Sequence, residues 1–236
     1  VKHTRSIAFV RPAYWIVTDK LEPENPETVF AYDQVWRASV DFELLCDENG
    51  KGYGGKTTYP DGINIQAVGV PDDDVTPVIV DKGYYSPNMN IAKEIKYISF
   101  KQKKAGAVYY NTILYPNKAT DLTKVTAEGL DTLYPDASRA FKINFTNDGG
   151  HTEDIYFISL LDENQTRPAE SFDRYRFNGK TAHIQRNSLY ETSVASIVNG
   201  TTLEDDGTAI ISSEDTLTDF SVEWVTCAIE MSTSMD

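Results

Sequence analysis

The stretch Thr28-Val-Phe-Ala-Tyr-Asp-Gln-Val-Trp-Arg-Ala-Ser-Val-Asp-Phe-Glu-Leu44 alternates between two kinds of side chain. Phe30, Tyr32, Trp36, Ala38, Val40, Phe42 and Leu44 share one parity, interrupted only by Gln34. Asp33, Arg37, Ser39, Asp41 and Glu43 share the other, with Val35 among them. Successive side chains of a β-strand point to opposite faces. The pattern therefore predicts one long strand with Trp36 in the core and Arg37 on the polar face. Upstream, Ser6–Val10 and Tyr14–Asp19 predict a hairpin whose turn is Arg11-Pro12-Ala13, since proline pre-sets φ and cannot donate to a ladder.

The same two-residue period runs through the rest of the chain, and helical spacing is nearly absent. Glu22–Glu27 is a polar loop with two prolines, and Pro71–Pro77 breaks the chain again. Gly83-Tyr-Tyr-Ser-Pro87 predicts a turn. Lys93–Lys101 and Ala107–Tyr115 predict strands joined through Lys101–Gly106. Strands are further predicted at Phe141–Thr146, Ile155–Leu161, Phe172–Phe177, Thr181–Arg186, Leu189–Val198, Ala209–Ser212 and Phe220–Ile229. Ile155–Leu161 is apolar on both parities, as in a strand buried on both faces. Asn147–Gly150, Asn178-Gly179, Asn199-Gly200 and Asp206-Gly207 carry turn chemistry. The expectation is an all-β fold: a large antiparallel β-sandwich, supersandwich-like, forming a single domain over residues 1–236.

The chain has 236 residues with a net charge of −14. That balance argues against a nucleic-acid partner, which needs a basic face. It fits a soluble surface. No apolar run approaches the ~18 residues of a membrane span, so no membrane partner is expected. Lys93, Lys96, Lys101, Lys103 and Lys104 concentrate positive charge locally. This reads as a hairpin edge kept unpaired by lysines, with a polyanion contact as the sharper alternative.

Metal chemistry finds little support. His3, His151 and His183 lie far apart, Cys46 and Cys227 sit in no ligand spacing, and both thiols are expected to be buried and free, with a pairing across the sandwich as the alternative. The Asp47–Gly55 loop and Asp72–Asp74 offer oxygen ligands but not a calcium-loop pattern. No cofactor is predicted, and the spacings support neither calcium nor zinc. The glycines of Gly50–Gly55 lack the Gly-Lys-Ser/Thr run and the following helix of a phosphate loop. No nucleophile elbow is present. Tyr84 and Tyr85 are the aromatic residues best placed to stack on a sugar.

The lettering resembles the C-terminal β-sandwich of heparinase II/III-like polysaccharide lyases. The resemblance rests on His3, Arg5, Phe9-Val10, Pro12, Tyr14-Trp15, Val17, Asp19 and Leu21, then on Gln34-Val-Trp36. A second stretch, Gly83-Tyr-Tyr-Ser86 followed by Tyr110-Asn-Thr-Ile-Leu-Tyr-Pro116, is similar to a later run of the same family. The resemblance implies β-elimination at a uronate, in which one group neutralises the carboxylate, a tyrosine or histidine removes the C5 proton, and a tyrosine protonates the leaving oxygen. Most of those groups belong to a helical toroid that precedes the sandwich, so the chain is expected to be one part of a longer protein. Where the family tends to place a histidine, this chain has Arg37, which cannot act as a base at ordinary pH but which the resemblance makes a candidate grip for a substrate carboxylate, an ion pair with Asp33 or Asp41 being the competing reading. The implied role is a module that braces a missing N-terminal helical domain, walls the cleft for an acidic polysaccharide, works in the periplasm or outside the cell, and is inactive alone. A free-standing carbohydrate-binding or structural module is the alternative.

Overall fold

The computed structural model describes residues 1–10, 13–70, 75–162 and 165–224. Among them the chain is all-β, as its two-residue period predicts, with seventeen strands and no helix. In order these are β1 (Lys2–Val10), β2 (Tyr14–Glu22), β3 (Phe30–Trp36), β4 (Phe42–Cys46), β5 (Gly52–Thr57), β6 (Ile63–Gly69), β7 (Thr76–Asn88), β8 (Ile91–Lys104) and β9 (Val108–Lys118). They continue with β10 (Lys124–Leu130), β11 (Ser138–Asn147), β12 (Gly150–Ser159), β13 (Glu170–Phe172), β14 (Tyr175–Asn178), β15 (Thr181–Arg186), β16 (Thr192–Asp205) and β17 (Thr208–Glu223). Packing groups the residues into two compact units. One is Val1–Gly129 with Ile143–His151; the other is Leu130–Lys142 with the chain from Thr152 onward.

In the first unit, a six-stranded sheet of order β1-β2-β9-β6-β5-β4 faces a three-stranded sheet of order β3-β8-β7. Both are antiparallel. Tyr32, Ile98 and Phe100 of the small sheet meet Phe42, Ala67, Val108 and Tyr110 of the large one in a shared core. This is β-sandwich-like packing, with the inward parity of each sheet removed from water.

The predicted strand Thr28–Leu44 is two strands. β3 belongs to the small sheet and β4 to the large one, with the chain bending between Trp36 and Phe42. Asp41 fixes the bend. Its carboxylate accepts the Lys96 N–H at 2.9 Å, and its carbonyl accepts the Thr58 N–H at 3.0 Å. Strands that switch sheets turn such corners. Tyr32, Trp36, Ala38 and Phe42 all pack on one core, so the alternation passes through the corner unbroken. Parity reports the interior side and is blind to which sheet supplies it.

Three other expectations are corrected. β8 and β9 lie in different sheets and do not form a hairpin, and β8 is the central strand of its sheet. Its lysines therefore do not mark a β8–β9 hairpin edge: exposed Lys101 is paired on both sides, whereas exposed Lys93 pairs only toward β7 and exposed Lys103 only toward β3. Gly83–Ser86 is strand rather than turn, because the reversal comes at Met89-Asn90, where Asn90 takes φ 66°. Glycine at 83 is required by packing: a Cβ there would stand 2.5 Å from the Tyr97 ring. The turn predicted at Arg11-Pro12-Ala13 and the breaker Pro71–Pro77 fall partly outside the described residues.

The remaining sheet has the order β10-β11-β12-β15-β16-β14-β13, with β17 along β16. β12 is buried at every position from Glu153 to Ser159, in keeping with its apolar run on both parities. The stretch Phe172–Phe177 is a hairpin rather than one strand. β13 and β14 turn at Asp173-Arg174, with Asp173 at φ 50°. In the second unit Phe157 stacks on Phe172 at 4.9 Å and meets Phe177 edge-on at 5.5 Å. These rings join Ile155, Ile184, Ile197 and Leu203 in the core.

Asn199-Gly200 is not a turn. It lies inside β16, at a register shift in the pairing with β17. β16 pairs β15 through its first half and β14 through its second. The Phe177 ring presses against the backbone between them. A Cβ on Gly200 would stand 2.7 Å from the Asn178 carbonyl and 2.9 Å from that ring. Gly200→Ala is therefore expected to destabilise the fold by about 1–3 kcal/mol, the usual cost of overpacking, read as a lowered urea midpoint. A solvent-exposed turn glycine would give no such shift.

Candidate functional site

β1 and β2 pair with Arg5 directly opposite Asp19 and His3 opposite Leu21. His3 and Arg5 are two residues apart on one face of β1, so both reach Asp19, one directly and one diagonally. The Asp19 side chain is only 2% exposed. Arg5 grips it with two parallel bonds, Nε to Oδ1 at 2.7 Å and Nη2 to Oδ2 at 2.7 Å. His3 Nε2 stands 2.8 Å from Oδ1. Gln34 of β3 donates from Nε2 to Oδ2 at 2.7 Å.

Gln34 is the polar residue that interrupts the apolar parity of β3, and it is buried for this purpose. Its Oε1 accepts the Trp36 indole N–H at 3.2 Å and the Thr112 hydroxyl at 2.6 Å. Two donors on Oε1 and a carboxylate on Nε2 leave one orientation for the amide. The Arg5 guanidinium also lies 5.6 Å from the centroid of the Trp36 ring, a cation–π distance. Three strands from both sheets of the unit thus meet at one carboxylate, and a fourth, β9, holds Gln34 in place through Thr112.

Burial pushes the Asp19 pKa up, but the hydrogen bonds from Arg5, Gln34 and His3 outweigh it and hold the group below its ordinary value. The Arg5 guanidinium is held above its usual value, chiefly by the bond to Asp19. An ionised carboxylate only accepts, so the nitrogen of His3 facing it, Nε2, carries a proton. The side chains of Arg5 and His3 are 42% and 49% exposed. The anion is inside, and the guanidinium and imidazole that hold it face water.

The hairpin of β1 and β2 carries an exposed apolar group along the same parity. Phe9 pairs across to Trp15, and the rings stack at 4.9 Å with 14° between planes. Ile7, Phe9 and Trp15 all remain exposed. The face of this hairpin thus runs from a stacked aromatic pair, through Ile7, to Arg5 and His3.

The residues singled out from the sequence are not assembled into one site. Arg37 is exposed just past β3, and its guanidinium lies 4.6 Å from the centroid of the Tyr97 ring. Among the described residues neither Asp33 nor Asp41 forms an ion pair with it; Asp41 is engaged with Lys96. Tyr84 is exposed and Tyr85 half-buried, paired across β7–β8 with Glu94 and Lys93. As consecutive strand residues they project to opposite faces and do not make a common platform.

The sequence reading missed Asp19, His3, Arg5 and Gln34 as a unit. Its two signals were the His-x-Arg spacing and the lone glutamine in an apolar parity. Among the described residues no group of three His, Cys, Asp or Glu side chains is placed to hold a metal ion; Asp72–Asp74 lies outside them. Asp47 Oδ1 instead accepts the backbone N–H groups of Asn49 and Lys51, at 2.9 and 2.8 Å. Cys46 is free but exposed, contrary to the expected burial, and Cys227 lies outside the described residues.

A second charged cluster, in the other unit, has the reverse construction. Arg186 is buried, and Glu153 (2.6 Å), Asp173 and the Tyr175 hydroxyl (3.1 Å) close around it. Its donors are consumed internally, which suits a structural lock. The Asp19 cluster instead turns Arg5 and His3 outward, each about half in solvent. Comparison with known proteins finds no family model that matches the chain, and no curated protein matches it.

Replacing Asp19 with Asn is expected to cost about 2–3 kcal/mol, because Arg5 and Gln34 lose a charged acceptor. The check is equilibrium denaturation. Since its native pKa is depressed, Asp19 contributes fully above the ordinary carboxylate pKa of about 4 and loses that contribution as pH falls through its native value. The stability difference between wild type and Asp19→Asn is therefore expected to be constant near neutrality and to shrink in acid.

Proposed function

We propose that this chain is the β-sandwich module of a heparinase II/III-like polysaccharide lyase. In this reading it braces a helical catalytic domain and walls one side of a cleft for a uronate-containing polysaccharide. One observation carries the reading: His3, Arg5 and Asp19, residues of the stretch that bears the resemblance, meet side chain to side chain and present a guanidinium and an imidazole beside exposed aromatic rings.

The chemistry follows from that surface. A guanidinium matches the planar, two-oxygen geometry of a carboxylate. Arg5 already spends Nε and one Nη on Asp19, and its outer edge keeps N–H donors for a uronate. The buried carboxylate prevents the guanidinium from swinging away, so less freedom is lost on binding. Trp15 and Phe9 supply faces on which the C–H side of a pyranose can lie. Arg37 adds a cation but no base. Proton abstraction at C5 and protonation of the leaving oxygen then fall to the helical domain. The substrate places the protein in the periplasm or outside the cell.

Two outcomes test this. The isolated chain, incubated with heparin, heparan, alginate or hyaluronan, is expected to produce no ultraviolet absorbance from an unsaturated uronate; such a signal would contradict the division of labour. It is expected to bind uronate oligosaccharides with an affinity that falls as salt rises. Arg5→Ala should weaken that binding by about tenfold or more, the loss of one charged hydrogen bond. Binding unchanged by salt and by Arg5→Ala would count against the reading.

A further inference from the structure

Another cavity lies in the first unit, built from different strands. It encloses about 230 Å³ between β5, the end of β6, β7, β8 and β10. Its floor is apolar: Phe100, Val70, Val75 and Pro77 line it. Its rim is polar, with Asp47, Lys51, Tyr53, Lys124 and Thr126. Glycines keep the space open. A Cβ on Gly52 would approach Leu44 at 3.3 Å and Pro77 at 3.4 Å, and one on Gly69 would stand 2.7 Å from the Phe100 ring.

The rim has unspent donors. Neither Lys51 nor Lys124 forms an ion pair among the described residues, and the Tyr53 hydroxyl has no hydrogen-bond partner there. Lys124 Nζ lies 6.0 Å from the centroid of the Tyr53 ring, so the cation and the ring address the same space. Burial, with the nearby Cys46 and Asp47, pushes the Tyr53 pKa up; the phenol stays protonated and donates. Asp47 Oδ1 is held by the backbone of its own loop, which leaves Oδ2 to accept.

Those features specify a ligand. Two ammonium groups at one rim, unpaired among the described residues, favour an anion. An apolar floor beside an aromatic ring favours the C–H face of a ring compound. The volume is below the ~300–1,000 Å³ of drug-sized sites, which suits one ring rather than a chain. Hydroxyl partners are present in Asp47, Tyr53 and Thr126. We infer that this cavity is a subsite for a single pyranose ring carrying a carboxylate, with Lys51 and Lys124 on the carboxylate and Tyr53, Asp47 and Thr126 on the hydroxyls. The choice of a sugar acid over other ring carboxylates rests on the acidic-glycan reading above.

The test is a titration of the ¹⁵N-labelled chain with glucuronate, glucose and benzoate, following backbone amides by NMR. Glucuronate is expected to give saturable shifts at Tyr53, Gly69 and Lys124, and glucose none. The exposed double variant Lys51→Ala/Lys124→Ala should keep the wild-type spectrum elsewhere and weaken glucuronate binding by about tenfold or more. Absence of saturable shifts with glucuronate would overturn the inference. Benzoate binding in place of glucuronate would overturn it too, assigning the cavity to an apolar carboxylate. The result separates from the reading it rests on: failure at this cavity leaves oligosaccharide binding sensitive to Arg5→Ala, whereas failure of the acidic-glycan reading abolishes that sensitivity.

Discussion

A carboxylate removed from water must be paired, or the fold carries an uncompensated buried charge. Asp19 meets that demand with four hydrogen bonds from three side chains, and the first unit is arranged to supply them. β1 must pair with β2 in the register that sets Arg5 opposite Asp19. A slip of one residue would turn Arg5 to the wrong face. The small sheet must place Gln34 over β2, and β9 must bring Thr112 to hold Gln34. The network therefore fixes the register of the opening hairpin and the seating of one sheet on the other at the same point.

The same demand bears on the proposed recognition role of this cluster. Burying the anion anchors a guanidinium and an imidazole that are themselves about half in solvent. Around Arg186 the roles are exchanged, and the guanidinium is enclosed by acceptors. A polyanion meeting a chain of net charge −14 is repelled on average. The proposed binding would thus rest on the Arg5 guanidinium, held in place by Asp19. The Lys51–Lys124 rim has a similar local character but lacks a buried anchor, in keeping with a smaller and looser ligand.

Much of the architecture was legible in the sequence because a strand exposes its environment at every second residue. The parity of Tyr32, Trp36 and Phe42 identified the core side correctly. It could not reveal the corner at Asp41, since a strand that changes sheet keeps the same side inward. Glycine misled for a related reason. Gly83 and Gly200 are spelled like turn residues, yet each is small because an aromatic ring packs on its backbone. Tyr84 and Tyr85 looked like a platform only while they were read as a turn. For the site, the sequence contained His3, Arg5, Asp19 and Gln34 but not their meeting, which depends on pairing register and on contact between two sheets. Gln34 was visible as an irregularity in β3; its meaning required Asp19 opposite.

The central claim is that Arg5, held by Asp19, takes the carboxylate of an acidic glycan. Its side-chain Nε–Hε resonance reports on that contact directly. In a titration with a uronate oligosaccharide, the Arg5 resonance should shift and saturate together with the backbone amides of β1, while that of the enclosed Arg186 stays fixed. Saturable binding that leaves the Arg5 resonance unmoved would contradict the account.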